Sequence, residues 1–242
     1  MNTTGSPQRV FVAGATGVIG RALVPLLLRA GHAVTGTTRS PQRAEALARG
    51  GAHPVVVDVY DAVALCEAVE RARPDVVIHQ LTDLPDRLTP EERGAALERN
   101  ARIRIAGTHN LLVAAVAAGV GRVIAQSIAF LYAPGPRPHD EAAPLQPGPS
   151  TDAISALEAG VTSSDGIAGV VLRYGRLYGP GTWTPVPEGT SPLHVDAAAH
   201  AALLAVHRGA PGIYNIAEDD DGVVSIDKAR RELGWSPSYR LR

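Results

Sequence analysis

Short apolar runs alternate along the chain with longer segments in which apolar residues recur at helical spacing. The first run, Arg9–Ala13, has the length of a buried strand, and Leu23, Leu26 and Leu27 after it share one helix face. The same pattern predicts further strands at 33–37, 54–57, 75–79, 122–126, 167–172 and 212–217, and helices at 21–30, 41–49, 61–73, 91–118, 151–161, 194–208 and 227–233. This alternation predicts an α/β fold with a doubly wound parallel sheet covered by helices on both faces.

Three glycines stand between the first predicted strand and its helix. Gly14, Gly17 and Gly20 suit a sharp turn, a close approach of backbone to a pyrophosphate, and tight packing of helix on strand. The helix that follows would present unpaired N–H groups and its positive dipole end to such an anion. We therefore predict a Rossmann-type dinucleotide site; the alternative is a tight turn that binds nothing.

Ligands of doubly wound sheets bind outside the carboxyl ends of the strands. The segments that directly follow predicted strands are therefore candidate binding segments. They are 14–19, 38–39, 58, 80–83 and 127–132. A polar loop is predicted at 82–90, and proline and glycine predict irregular loops at 133–150 and 175–192.

Composition narrows the function classes. A net charge of −1 over 242 residues gives no electrostatic case for binding nucleic acid or an anionic membrane. The single cysteine, Cys66, excludes an internal disulfide, and the scattered histidines show no metal-ligand spacing. No apolar run has the ~20 residues of a membrane span, and the polar first residues do not predict a secretory signal. We expect a cytoplasmic protein that acts on a small molecule, without nucleic acid, membrane or metal.

Several motifs in sequence order carry a family resemblance. They are VFVAGATGVIG (10–20), PDVVIHQ (74–80), GRVIAQS (121–127), VVLRYGRLYGPG (170–181) and LHVDAAA (193–199). In these the chain resembles the extended short-chain dehydrogenases/reductases, which include NAD-dependent epimerases and dehydratases. The resemblance implies that the pyrophosphate is held by Gly14, Thr16, Gly17, Val18 and Ile19, the adenine by Asp58 and Val59, the nicotinamide ribose by Leu81 and Thr82, and the nicotinamide end by Ser127, Tyr174 and Gly175.

The end of the second predicted strand bears on cofactor choice. NAD enzymes commonly place a carboxylate there for the ribose 2′-hydroxyl, but this chain has Thr38 and Arg39. An arginine fits a 2′-phosphate by charge and by its forked geometry, and Arg43 could add to it. The sequence thus favours NADP(H) over NAD(H). The alternative is that Arg39 is simply a solvated residue near a helix start.

The chain departs from the family at its catalytic pair. The family uses Tyr-x-x-x-Lys, in which tyrosine transfers the proton and lysine lowers its pKa. Here Ser150 and Ile154 occupy those positions, Ile128 replaces a second serine, and the only lysine, Lys228, lies near the C-terminus. The usual proton donor is therefore missing.

Two other hydroxyls follow the fifth predicted strand. Ser127 and Tyr132 are our candidate catalytic residues, because each could donate a hydrogen bond to a developing alkoxide without a tuned pKa. A loop aromatic is the alternative for Tyr132, and His79 reads as a packed, hydrogen-bonded histidine rather than a catalyst. Arg173 and Arg176 could pair with carboxylates or bind an acidic substrate.

These features predict an atypical NADP(H)-dependent reductase acting on the carbonyl of a bulky substrate in an open cleft. The rivals are a non-redox member of the fold, either a cyclase or isomerase or a cofactor-sensing regulator, and a cofactor-retaining epimerase or dehydratase. We expect a flexible lead-in (1–8), a dinucleotide-binding core (9–174) and a small substrate-binding part interleaved with it (175–242). By analogy with the family, a homodimer would form through 91–118 and 151–163.

Overall fold

A parallel sheet of seven strands forms the centre of the computed structural model, which describes residues 5–85 and 89–241. Every neighbouring pair in it is parallel, in the order β3-β2-β1-β4-β5-β6-β9. Its strands are β1 (Arg9–Ala13), β2 (Ala33–Thr38), β3 (His53–Val56), β4 (Val76–His79), β5 (Arg122–Ile128), β6 (Ala168–Tyr174) and β9 (Gly212–Ile216). A separate short parallel pair consists of β7 (Arg176–Tyr178) and β8 (Pro192–His194).

Helices cover both faces of the sheet. They are α1 (Val18–Arg29), α2 (Pro41–Arg49), α3 (Ala62–Ala72), α4 (Arg93–Arg102), α5 (Thr108–Ala117), α6 (Pro149–Thr162) and α7 (Val195–Ala205). One apolar core lies between the sheet and α1, α2 and α7, and a second lies between the sheet and α3, α5 and α6. The predicted doubly wound α/β fold is confirmed. No helix of the described residues is long and apolar enough to cross a membrane.

Strand order places the candidate site. From β1 the chain moves outward to β2 and β3, then returns to build β4, β5 and β6 on the other side of β1. The direction in which successive strands are added to the sheet therefore reverses between β1 and β4, although all the strands are parallel. This is the switch point at which such sheets open a crevice for ligands. The C-terminal part joins the same body, because β9 pairs with β6 and α7 packs beside α1.

Local signals predicted several element ends correctly. Strand β1 has the predicted bounds, and α2 begins at Pro41 with the Ser40 hydroxyl accepting from the Arg43 N–H. Asp61 caps α3 in the same way. Helix α1, however, begins at Val18 rather than at 21, because the glycine turn is closed already by the Gly17 N–H donating to the Gly14 carbonyl.

Longer segments differ from prediction. The single helix expected over 91–118 is α4, a π-helical segment (Ile103–Gly107) and α5. Strands β7 and β8 lie within or beside the 175–192 segment that proline and glycine predicted to be irregular, and α6 begins at Pro149, inside the other predicted loop. Of the predicted lead-in and of the 82–90 loop, residues 1–4 and 86–88 lie outside the described residues.

Tight packing of α6 on β6 requires a glycine. A Cβ built at Gly169 in β6 would overlap the carbonyl oxygen of Val161 in α6. We predict that Gly169→Ala lowers the free energy of unfolding by about 1–3 kcal/mol in urea denaturation, because the helix must shift. Gly121→Ala is the matched control, since its Cβ would lie 4.0 Å from the nearest atom, the Asp75 oxygen. Equal stability of the two variants would contradict this packing.

Candidate active site

The glycine turn after β1 has the geometry of an anion cradle. Gly14 adopts a φ of +88°, and a Cβ there would lie 2.7 Å from the Gln80 carbonyl oxygen. Helix α1 then begins directly after Gly17, with no side-chain cap and no acidic residue in its first turn. Its first N–H groups are therefore free to bind an anion.

A cavity of about 310 Å³ opens beside this turn, at the switch point. Its volume is within the range of ligand pockets. The predicted cofactor residues in its wall are Gly14, Thr16, Gly17, Thr38, Arg39, Asp58, Val59, Leu81 and Thr82. Four neighbouring strand ends thus meet around one space, as predicted for a dinucleotide.

Other predicted cofactor residues lie outside that wall. Val18 and Ile19 form the first turn of α1, where Ile19 packs into the core. Ser127, Tyr174 and Gly175 lie further along the sheet, at or after the ends of β5 and β6. The structure therefore groups the adenosine and pyrophosphate residues tightly and sets the nicotinamide-end residues apart from them.

Positive charge lines the β2 end of the cavity. Arg39 and Arg43 both contribute to the wall, and no carboxylate occurs between 36 and 43. Arg39 is 60% exposed, and its guanidinium lies 3.8 Å from the Asp83 carboxylate. Such a long, exposed ion pair stabilises little, so the Arg39 side chain can turn to a ligand at small energetic cost.

Two buried polar side chains near the switch point are neighbours. Burial raises the pKa of Tyr174 and the adjacent Gln80 amide opposes that shift, yet neither group has a fully formed hydrogen bond to a described residue. Gln80 also lines the cavity. Because buried polar groups nearly always have a partner, these atoms fit a site that a polar ligand completes. The sequence pattern did not single out the Gln80 side chain.

An ion pair between Arg173 and Glu158 lies under the carboxyl ends of β5 and β6. The Arg173 Nη2 is 2.6 Å from the Glu158 Oε2 and its Nε is 2.8 Å from Oε1, and both side chains are almost wholly buried. The Ser127 hydroxyl donates to the same carboxylate over 2.6 Å. This bidentate pair joins β6 to α6, and its carboxylate accepts the hydrogen bond of the Ser127 hydroxyl.

Tyr132 belongs to the same network. Its hydroxyl donates to the Asn215 Oδ1 over 2.6 Å and accepts from the Arg173 Nη1 over 2.8 Å. Burial raises the pKa of Tyr132. A hydroxyl has one proton to donate, so both candidate catalytic residues, Ser127 and Tyr132, use theirs inside the protein. The structure brings the two together through Arg173, but neither lines the cavity.

The resemblance assigns Ser150 and Ile154 to the positions of the family's catalytic tyrosine and lysine, and neither residue is an acid or a base. Ile154 is buried in the core on α6, and Ser150 lies in the first turn of that helix. The Nζ of Lys228 donates to the Ile213 carbonyl and lies 4.4 Å from the Tyr214 ring, beside β9. The only lysine thus has a structural partner away from the cavity.

A buried arginine that the pattern did not reveal lies in the π-helical segment. Arg104 is 8% exposed, and burial lowers its pKa to about 10, while the charge of Glu158 opposes that shift. Its guanidinium makes no hydrogen bond within the described part of the chain. The charge of Arg104 thus lies near His79, at the end of β4, and near Glu158 on α6.

His79 is structural, as expected from its place at the end of a buried strand. Its Nε2 lies 2.9 Å from the Thr108 hydroxyl, and its Nδ1 accepts from the Leu81 N–H. Complete burial lowers the pKa of His79 to about 4, with a smaller contribution from Arg104. The ring is therefore neutral near pH 7 and fixes the backbone where the cavity begins.

The fold and the cavity define a nicotinamide-dinucleotide-binding protein of the Rossmann type. Residues 10–211 match the model of the NAD dependent epimerase/dehydratase family. The chain belongs to this family, which confirms the resemblance read from its motifs.

A relative from Streptomyces sp is named 3-diazoavenalumate denitrifying reductase. It is 45% identical over an alignment 263 residues long, which covers 97% of this chain and 84% of that protein. Its name and the family together support an NAD(P)-dependent oxidoreductase-like role for this chain.

Solved structures share the fold. UDP-glucose 4-epimerase from Thermotoga maritima, solved with UDP-glucose, has a TM-score of 0.79 at 20% identity and covers 96% of this chain and 94% of its own. The Bordetella bronchiseptica enzyme WbmG, in complex with NAD and UDP, has a TM-score of 0.75 at 20% identity, with 98% and 91% covered. At these identities the likeness shows the fold alone.

The network around Tyr132 yields a prediction that separates structure from catalysis. Tyr132→Phe leaves the Asn215 oxygen and one Arg173 N–H without partners, so we expect the free energy of unfolding to fall by about 1–3 kcal/mol in urea denaturation. Turnover with NADPH should change less than roughly tenfold, whereas loss of a proton donor typically costs about 10²–10⁴-fold.

Tyr239→Phe is the matched control for stability, because its hydroxyl makes no hydrogen bond to a described residue. A Tyr132→Phe variant with normal stability and a hundredfold loss of turnover, roughly the lower limit for a lost proton donor, would make Tyr132 the donor and contradict the structural role.

Proposed function

We propose that the protein is an NADP(H)-dependent reductase whose hydride acceptor takes no proton from the enzyme, and that this acceptor is an aromatic diazonium group. One observation carries the proposal. The hydroxyls of Ser127 and Tyr132, at the expected donor position, donate their hydrogen bonds to Glu158 and Asn215. A reaction that needs a hydride and no proton suits such a site.

The residues around the cavity fit the dinucleotide. The free N–H groups at the start of α1 would hold the pyrophosphate. Arg39 and Arg43 would hold a ribose 2′-phosphate, which supports NADP(H) over NAD(H). A bound nicotinamide would supply the hydride, and the Gln80 amide in the cavity wall would hydrogen-bond to the cofactor.

Proton balance separates the two acceptor classes. Carbonyl reduction forms a C–H bond from the hydride and an O–H bond from a proton, so one proton is consumed. A hydride added to the terminal nitrogen of an aryl diazonium ion forms an N–H bond and a neutral aryldiazene. The aryldiazene then loses N₂ while the ring carbon gains a hydrogen. The sum is one diazonium ion plus one hydride to one arene plus N₂, with no net proton.

The relative's name supports the diazo acceptor. A protein that is 45% identical across nearly all of this chain is named a denitrifying reductase of a diazo compound. A site in which the family's tyrosine and lysine positions hold Ser150 and Ile154 is consistent with that chemistry.

Reduction of the carbonyl of a bulky substrate is the second candidate. It is favoured by Ser127, which keeps a hydroxyl at the carboxyl end of β5. For this reaction the Ser127 hydroxyl must break its hydrogen bond to Glu158 and donate to the substrate, or water must provide the proton. The two candidates share the cofactor and differ in the acceptor.

Cofactor choice is tested by titrating the protein with NADPH and NADH in a calorimeter. Replacing Arg39 by Ala should weaken NADPH binding by about tenfold or more, roughly 1.4 kcal/mol, with little change for NADH. Arg49→Ala is the matched control, because Arg49 is an exposed arginine at the end of α2 and is not part of the cavity wall. Failure to bind either nucleotide would support the non-redox reading of the fold.

The acceptor is tested with two compounds that differ only at the reacting group, 4-methylbenzenediazonium and 4-methylacetophenone. We expect NADPH oxidation above the enzyme-free rate with the diazonium ion, and one N₂ released for each NADPH oxidised. Oxidation of NADPH with the ketone and not with the diazonium ion would show that the protein is a carbonyl reductase. No oxidation with either would contradict the reductase proposal.

A further inference from the structure

Arg176 holds a fixed position beside the nicotinamide-end residues. It directly follows Gly175 at the end of β6, and its guanidinium lies 4.2 Å from the centre of the Phe130 ring. Its aliphatic stem lies against Gly189, where a Cβ would be 3.0 Å from the Arg176 Cδ. An aromatic face on one side and a loop on the other therefore fix the plane of this guanidinium.

A second cation acts on the same place. Burial lowers the pKa of Arg176, and the positive charge of Arg93, the first residue of α4, lowers it further. Both positive charges favour an anion near Arg176.

Arg173 and Arg176 differ in their partners. No carboxylate of residues 5–85 or 89–241 lies within 4.0 Å of Arg176, whereas Arg173 pairs with Glu158 at 2.6 Å. The sequence offered both arginines as partners for a carboxylate or an acidic substrate, with Arg173 as the structural one of the two, and this ion pair fits that interpretation.

We propose that Arg176 forms the binding site for a carboxylate of the substrate. A guanidinium lying over an aromatic ring keeps its N–H edge free, and that edge matches the two oxygens of a carboxylate. This carboxylate would be distinct from the cofactor phosphates. Arg39 and the start of α1 follow the ends of β2 and β1, whereas Arg176 follows the end of β6, three strands away from β1.

This inference rests on the proposed function for the identity of the substrate. Combined with it, the substrate class is an aromatic diazonium compound that carries a carboxylate. Arg176 then acts through substrate affinity, so its loss raises KM for substrates that carry the carboxylate and leaves their kcat nearly unchanged. Substrates without the carboxylate keep their KM.

The test compares 4-carboxybenzenediazonium with 4-methylbenzenediazonium, which differ in the group aimed at Arg176. The protein should have a KM about tenfold or more lower for the carboxylate, and Arg176→Met should abolish that preference. Arg71→Met is the control, because Arg71 is an exposed arginine on α3, far from the site. Equal KM values for the two compounds in the unaltered protein would overturn the proposal.

A binding measurement separates the two proposals. Benzoate, which cannot be reduced, is titrated into the protein with NADPH present. Binding that Arg176→Met weakens about tenfold or more, while Arg71→Met leaves it unchanged, supports the carboxylate site even if neither diazonium ion oxidises NADPH. Oxidation of both ions with no benzoate binding, or with binding that survives in Arg176→Met, overturns the carboxylate site and leaves the reductase proposal standing.

Discussion

The buried ion pair between Arg173 and Glu158 determines much of what the site can do. Two short bonds hold a charged side chain of β6 against one of α6, and removing one partner of such a pair typically costs about 3–5 kcal/mol. Glu158 accepts the hydrogen bond of the Ser127 hydroxyl, and Arg173 donates one to the Tyr132 hydroxyl. Stability and the absence of a free proton donor thus have one structural cause.

A second, independent constraint positions the dinucleotide. Gly14 and Gly17 let α1 begin directly behind β1, and that helix end carries no cap of its own. In the proposed function, backbone geometry preforms the phosphate end of the site, and the Arg176 and Phe130 side chains would line its acceptor end. The proposed chemistry follows from combining the two ends: a place for a hydride donor, a place for an anion, and no donated proton.

Local signals were enough to predict the parts of the fold that depend on neighbouring residues. Strand β1, the starts of α2 and α3 and the glycine turn each depend on residues only a few positions apart, among them the capping residues Ser40 and Asp61. The π-helical segment at Ile103–Gly107 and strand β7 depend on packing against other elements, and no local pattern indicated them. The bond from Tyr132 to Asn215 spans 83 positions, so its hydroxyl looked free in the sequence and is bonded in the structure.

Hydride transfer that proceeds without a proton from the protein should show no solvent isotope effect. The rate of NADPH oxidation in a single turnover with a diazonium substrate is measured in H₂O and in D₂O, with NADPH and with NADPH deuterated at C4. Deuteration of the cofactor should slow the step, and D₂O should leave it unchanged. Slowing of the same step in D₂O would mean that a proton moves with the hydride, and would contradict the account.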